Sequence, residues 1–229
     1  MKKVLLLLLG SIFLTSNSAI VFAEESNQEK METVENSVVS TQKVQLINFE
    51  IPTEFLVSDT TVNYVDMVDG KKAEIIDNAS SKVLATYSEM IENSNINTRT
   101  TGQVWTSHIQ STYSVQPATI NVYAEVVLRG DTNWRQIEKV NRIWQTEGKS
   151  GAYELKDTYQ SISSPSTFPS TWMLVNITGQ VYTESAWSAS AGFSFSLLES
   201  AGFDMSGSNS GKWFARKNYN SQVLFRVMN

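Results

Sequence analysis

The chain is expected to fold mainly as β: an antiparallel β-sandwich, Ig-like or related, with a short helix near 195–201 and a small N-terminal segment combining a hairpin and a helix. Three observations lead there. Beyond Arg99 the sequence consists of alternating, β-branched and aromatic runs such as "QVWTSHIQSTYSV", "ATINVYAEVVL", "AYELKDTYQSI", "TWMLVNITGQVYTESAWS" and "SQVLFRVM". Turn-forming residues separate them: Arg129-Gly130-Asp131, Glu147-Gly148-Lys149-Ser150-Gly151 and Ser163-Ser164-Pro165-Ser166. Finally, all six tryptophans (Trp105, Trp134, Trp144, Trp172, Trp187 and Trp213) lie in the same region, which supplies the large aromatic surface a core needs. No long helical pattern alternates with these runs, which argues against a parallel α/β sheet.

From the start of the chain, Met1-Lys2-Lys3 and the apolar "VLLLLLGSIFL" (Val4 to Leu14) precede "TSNSAIVFA", which ends on small-x-small-like Val21-Phe22-Ala23. This predicts a signal peptide, residues 1–23, cleaved after Ala23, with Ala19 as a second possible cut. The apolar run falls short of the ~20 residues that span a bilayer as a helix. The chain has no cysteine. That excludes a disulfide framework, a thiolate metal site, a cysteine nucleophile and a lipidated N-terminal cysteine, so the core has to hold without staples.

Charge divides the rest. From Glu24 to Thr98 there are 14 acids and 5 lysines, net −9, and from Arg99 onward 11 basic residues and 9 acids, net +2; Lys2 and Lys3 bring the total to −5. Residues 24–42, rich in Glu, Ser, Asn and Gln, have little to bury and are expected to be disordered. Residues 43–98 are expected to form the small N-terminal segment, and residues 99–229 the main β domain. Within the former, "KVQLINFEI" has strand composition. "TVNYVDMV" and "KAEII" flank Asp69-Gly70, predicting a hairpin over about 60–77 in which Gly70 takes a positive φ. In "SSKVLATYSEMIEN", Val83, Leu84, Tyr87, Met90 and Ile91 fall at helical spacing, with Ser80 or Ser81 as N-cap, and predict a short helix. "NSNINTRTTG" (Asn93 to Gly102) reads as a polar linker.

"NWRQIEKVNRIW" (Asn133 to Trp144) fits two templates. As a helix it places Trp134, Ile137, Val140, Ile143 and Trp144 on about half the circumference, with Asp131 or Thr132 as cap. Its β-branched and aromatic content favours a strand with a bulge between the two tryptophans, Trp134 near the domain's end and at least one indole mostly buried. In "FSFSLLESAG", Phe195, Leu198 and Ala201 share a helical side and Gly202 is a natural stop.

The succession Asn133-Trp134, a polar strand, Gly148, a second strand and "TWMLVNITGQVYTES" resembles the small secreted β-sandwich domains of Gram-positive bacteria, most of unassigned function. The resemblance covers about residues 100–190. It implies the fold and an extracellular setting, and assigns no site residue.

Function is read largely by exclusion. His108 is the only histidine, so a histidine metal cluster is excluded, and no G-x-S-x-G elbow, phosphate loop or H-E-x-x-H motif occurs. "DMSGSNSG" (Asp204 to Gly211) lacks the acid ladder of a calcium loop. No catalytic residue, metal or cofactor is expected. A body charge of +2 without a reader motif argues against nucleic acid. The candidate binding residues are Trp134, Arg135, Arg142 and Trp144 with Lys212, Trp213, Arg216 and Lys217, an aromatic and basic set suited to sugars or anionic polymers if the two segments meet. The alternative is that the indoles pack inward and the cations are a solvated face. The closing "QVLFRVMN" carries no sorting motif or apolar tail, so release or non-covalent retention is expected.

These features predict a secreted, non-enzymatic β-domain that binds a cell-wall polymer, glycan, host surface or matrix component. Two alternatives remain open. One is a membrane-active toxin or bacteriocin-like protein, because "TESAWSASAGFSFSLLESAGFDMSGSNSG" (Thr183 to Gly211) alternates in the manner of a transmembrane hairpin. The other is a secreted hydrolase using two of the body's carboxylates.

Overall fold

In "ATINVYAEVVLRG", every second residue from Ala118 to Gly130 is buried and the intervening ones are half-buried. That is the period-2 pattern of a strand with one face on a core. This strand, β7 (Ala118–Gly130), lies within a six-stranded antiparallel meander of β3 (Thr60–Met67), β4 (Gly70–Asp77), β5 (Val83–Glu92), β6 (Gln103–Val115), β7 and β8 (Arg135–Glu147) in sequence order. The second sheet runs β1 (Lys43–Gln45), β2 (Phe49–Pro52), β12 (Trp213–Val227), β10 (Trp172–Glu184) and β9 (Glu154–Ser164), with β11 (Asp204–Gly207) paired to β12. Two short helices, α1 (Ser185–Ala191) and α2 (Phe195–Ser200), link β10 to β11. The computed structural model describes residues 42–92, 102–131, 133–149, 152–207 and 211–229. The predicted signal peptide, the acidic segment up to residue 41 and the linker over 93–101 lie outside the described residues.

The inner faces of the two sheets share one core, in which Phe49, Ile51, Ile75, Tyr87, Ile109, Leu128, Ile137, Met173 and Phe225 are among the large, fully buried side chains. The predicted antiparallel sandwich is the observed architecture. Pairing of Glu92 with Thr106 in β5 and β6 carries the meander across the boundary drawn near residue 98. Residues 43–92 therefore supply strands to the same two sheets as the rest.

The predicted helix over 80–93 is corrected to β5. Its buried positions are Ala85, Tyr87, Glu89 and Ile91, a strict alternation hidden in the sequence by an acid at an inward position. Glu89 is fully buried. Its Oε2 accepts the backbone N–H groups of Ile47 (2.9 Å) and Asn48 (2.7 Å), while Oε1 accepts the Ser107 hydroxyl (2.8 Å) and the Asn48 amide. A carboxylate with this many donors is tolerated in a dry interior, and here it fastens the β1–β2 turn of one sheet onto the other.

The β3–β4 hairpin lies where predicted, but the reason for its glycine differs. The turn is Val68-Asp69, and Gly70 begins β4 opposite Met67 without a positive φ. A Cβ there would sit 2.3 Å from the Glu89 carbonyl oxygen. Close approach of β5, not left-handed backbone, is what requires glycine.

The Asn133–Trp144 stretch is a strand with two irregularities, between the pairs Glu125↔Arg142 and Val126↔Val140, and between Val127↔Lys139 and Leu128↔Ile137. Each inserts one residue, Asn141 or Glu138, and shifts the phase of the pleat. The core-packed positions become Ile137, Val140 and Ile143, three apart, which is why the sequence also fits a helix. Glu138 is held by a two-pronged bond from Arg129, Nε to Oε2 at 3.0 Å and Nη2 to Oε1 at 3.2 Å. Asp131 caps the preceding turn rather than a helix, its Oδ1 accepting from the N–H groups of Asn133 and Trp134 at 2.7 and 3.1 Å.

At the other end of the chain, α2 matches the helix expected near 195–201, and Gly202 follows it at φ +78. Helix α1 was not expected, since "VYTESAWS" continues the alternation of β10.

The sheets also meet through Tyr219, whose hydroxyl donates to Gln145 Oε1 at 2.9 Å. Burial first, and the negative charge of Glu147 second, push this hydroxyl up to about 12 from its ordinary 10.0. The fold therefore favours neutral Tyr219, and that contribution is complete below about pH 10 and is lost as pH rises through about 12. The melting temperature should fall across this window, and less steeply in Tyr219→Phe. Equal alkaline slopes for the two proteins would show that Tyr219 is not a source of the loss.

Candidate functional site

Antiparallel registers align outward side chains into rows, and two rows cross the middle of the meander sheet. One runs Ser88, Gln110, Tyr123, Trp144 and the next Met90, His108, Glu125, Arg142, each residue directly opposite its neighbour on the adjoining strand. These positions are outward because they alternate with the buried Tyr87, Glu89, Ile109, Val122 and Ala124.

The first row ends in a stacked ring pair: Tyr123 and Trp144 have centroids 5.0 Å apart and planes 6° from parallel. The Arg142 guanidinium lies 5.0 Å from the Trp144 ring centroid. Beside the rings the row falls to the smaller polar Gln110 and Ser88, and this step opens a groove of about 840 Å³ lined by Ser88, Met90, Glu92, His108, Gln110, Tyr123 and Trp144, with Asp69 at its margin. Within it, His108 Nε2 and Glu92 Oε1 are 2.9 Å apart. Next to it Glu125 Oε1 accepts from the Asn141 amide at 2.8 Å. The bulge at Asn141 is what brings that amide alongside Glu125.

A ring wall beside hydrogen-bonding amides and carboxylates can stack on an apolar sugar face while polar groups take its hydroxyls. Carboxylates of Asp69, Glu92 and Glu125 outnumber the cation Arg142 here, which suits an uncharged ligand better than an anionic polymer. No set of three or more His, Asp or Glu side chains among the described residues is arranged to hold a metal ion.

The eight predicted site residues do not form one patch. Arg142 and Trp144 belong to the groove. Trp134, 37% exposed, precedes β8 at one end of the meander sheet. Arg135 is a tie to the chain end, its N–H donating to Asn229 Oδ1 at 2.9 Å and its Nη1 to the Met228 carbonyl at 3.1 Å. Lys212 lies just before β12, and Trp213, Arg216 and Lys217 lie in its first five residues, in the other sheet. Trp213 packs edge-on against Phe195 with centroids 5.6 Å apart, and Lys217 donates to the Ala201 carbonyl at 2.6 Å. Arg135 bonds the far end of β12, roughly 35–50 Å along that strand from Lys217 and Lys212. The Trp144 end of β8 comes closer to them, since the neighbouring Gln145 accepts from Tyr219, but Arg142 and Trp144 face outward from the meander sheet. As expected, one indole is mostly covered: Trp144 is partly buried, while Trp134 is 37% exposed. Neither belongs to the core, because the bulges leave Ile137, Val140 and Ile143 as the inward residues.

A second aromatic group, Tyr182 with Trp187 and Phe214, lies on the other sheet. Lys156 sits 3.4 Å from the Tyr182 centroid and Trp187 of α1 meets the ring edge-on, so this group is already covered by the protein itself. Sequence reasoning missed Tyr123, Gln110, Glu125 and Glu92. The usable signal was the strict alternation of β7, which marks Tyr123 and Glu125 as outward.

No family model, curated protein or solved structure matches the chain.

Proposed function

We propose that this is a secreted, non-enzymatic β-sandwich protein that binds a neutral glycan of a cell wall, host surface or matrix through the outer face of the meander sheet. The observation that carries the reading is the Tyr123–Trp144 stack beside Gln110, Glu92 and Glu125 in an open groove. Export rests on the basic start and leucine run of the first 23 residues, and a Gram-positive source on the resemblance of residues 100–190. A stacked ring contributes roughly 1 kcal/mol or more beyond its buried area, so a two-ring wall suits the weak affinities typical of single sugar sites.

The test is isothermal titration with a panel of soluble neutral oligosaccharides, together with sedimentation on insoluble wall polysaccharide. Wild type should bind at least one, Tyr123→Ala and Trp144→Ala should each weaken binding tenfold or more, and the melting temperature should stay within about 3 °C, because both rings lie outside the core. Binding unchanged in both variants, or absent across the panel, would overturn the reading. Release of reducing ends during the incubation would make the protein a hydrolase instead.

A further inference from the structure

Strands β10 and β12 pair residue for residue from Trp172↔Arg226 to Glu184↔Phe214. The chain between them leaves the sheet as α1 and α2 and returns through β11, which pairs with the other edge of β12. Continuing the same register past Glu184↔Phe214 sets Ala191 opposite Gly207, Phe193 opposite Met205, Phe195 opposite Phe203 and Leu197 opposite Ala201. On the alternate positions it sets Gly192 opposite Ser206, Ser194 opposite Asp204 and Ser196 opposite Gly202. The tip falls at Leu198-Glu199-Ser200. From Ala191 to the tip, apolar or small residues meet on one face and small or polar residues on the other, with no shift introduced. Nearer the base the same count places one polar residue, Asn209, on the apolar face opposite Ala189. That is the dyad pattern of a membrane-spanning β-hairpin.

The helical arrangement satisfies only part of this pattern. From Trp187 to Leu197 apolar residues recur at every second position, whereas a helix buries residues three and four apart, which here places only Leu198 of α2 in the core. Helices of 7 and 6 residues are too short to sustain themselves; α2 is capped by Ser194, which accepts from the Leu197 N–H, while α1 has no side-chain cap bond. Phe195 and Leu197 are left 43% and 42% exposed. A segment whose local pattern contradicts its conformation points to a second conformation in which the pattern is satisfied.

We propose that the segment between β10 and β12 refolds on a lipid bilayer into a hairpin extending those two strands, with Phe193, Phe195, Leu197, Phe203 and Met205 towards lipid and Ser194, Ser196 and Asp204 towards water. The 11 residues from Trp187 to Leu197 match the ~9–11 of a tilted membrane strand. Trp187 stands at the base of the hairpin, where aromatic residues meet the interface. No helix among the described residues is long and apolar enough to cross a membrane, so crossing falls to strands. One hairpin leaves two unpaired edges, which hydrocarbon does not tolerate, and several copies must therefore close a barrel together. The proposal is independent of the glycan reading.

Phe195 and Ser196 are adjacent and both exposed in the folded chain, so arginine at either leaves the core alone; only in the hairpin do they face opposite sides. The experiment is calcein release from glycan-free vesicles of phosphatidylcholine, alone and mixed with phosphatidylglycerol, at micromolar protein. Wild type should release dye from at least one composition. Phe195→Arg should lower release roughly 30-fold or more, and Ser196→Arg should stay within about threefold of wild type. Because the chain has no cysteine, single cysteines at positions 193–197 can carry an environment-sensitive fluorophore, whose emission should alternate with odd positions in lipid. Absence of release from both compositions, equal loss in the two arginine variants, or a labelling period of 3.6 would each overturn the proposal.

Discussion

Glu89→Ala is expected to lower stability by about 3–5 kcal/mol, because it removes the acceptor shared by several buried neutral donors and leaves them stranded. Four groups lose their acceptor: the N–H of Ile47, the N–H and amide of Asn48, and the Ser107 hydroxyl. The loss also unfastens the β1–β2 turn from β5 and β6, so it should be felt as cooperative unfolding rather than local fraying. For a unit of this size the melting temperature should fall by roughly 6–20 °C. Glu89→Gln separates hydrogen bonding from side-chain volume. Its amide oxygen can still accept both backbone N–H groups, Ser107 can turn its hydroxyl to accept, and Asn48 can flip its amide. We therefore expect Gln to cost less than half of what Ala costs. Urea midpoints for the two variants check this, and an Ala effect under about 1 kcal/mol would show that Glu89 is not the fastening point described.

The second large effect is expected at Gly70. A Cβ 2.3 Å from the Glu89 carbonyl oxygen and 3.2 Å from the Met90 Cα meets backbone that cannot rotate away. Relief requires β4 and β5 to part where Gly70 pairs with Met90 and where the Ile91 N–H bonds to the Asp69 carbonyl at 2.7 Å. Gly70→Ala and Gly70→Val should each cost about 2–4 kcal/mol, with most of the cost already present in alanine. The two causes are distinguishable. If a left-handed backbone were responsible, Gly70→Asn would be nearly harmless, since asparagine tolerates that region; with close approach as the cause, asparagine should be as damaging as alanine. Thermal melts of the three variants decide it.

The sandwich was legible because strands such as β7 carry an uninterrupted inside-outside alternation that needs no tertiary information to recognise. Where the reading failed, a residue's environment came from a distant segment. β5 looked helical because Glu89 occupies an inward position that only the Ile47–Asn48 turn makes habitable. β8 looked equally helical and extended because two inserted residues space its inward side chains by three. Helix α1 was read as strand since its sequence does alternate. The site divided along similar lines. Trp144 and Arg142 were identifiable as an aromatic and a basic residue on one strand, but their partners Tyr123, His108 and Glu92 arrive by register between strands, which composition does not encode. Lys212, Trp213, Arg216 and Lys217 were grouped with them on chemistry alone, and the second sheet carries them elsewhere.

The paired irregularities of β8 bear on behaviour in concentrated solution. β8 is the last strand of its sheet, and a last strand normally presents an even row of unused N–H and C=O groups on which a stray extended chain can grow. Here the row is broken at Glu138 and Asn141, bent by the extra residues, and occupied at Ile137 by a two-way backbone bond to Ser170, with 2.6 and 3.0 Å separations. An incoming strand would find no run of evenly spaced partners and would meet the charged Lys139 and Arg142 along the way. A protein that stacks six antiparallel strands in succession without a disulfide is thereby kept from polymerising through this edge.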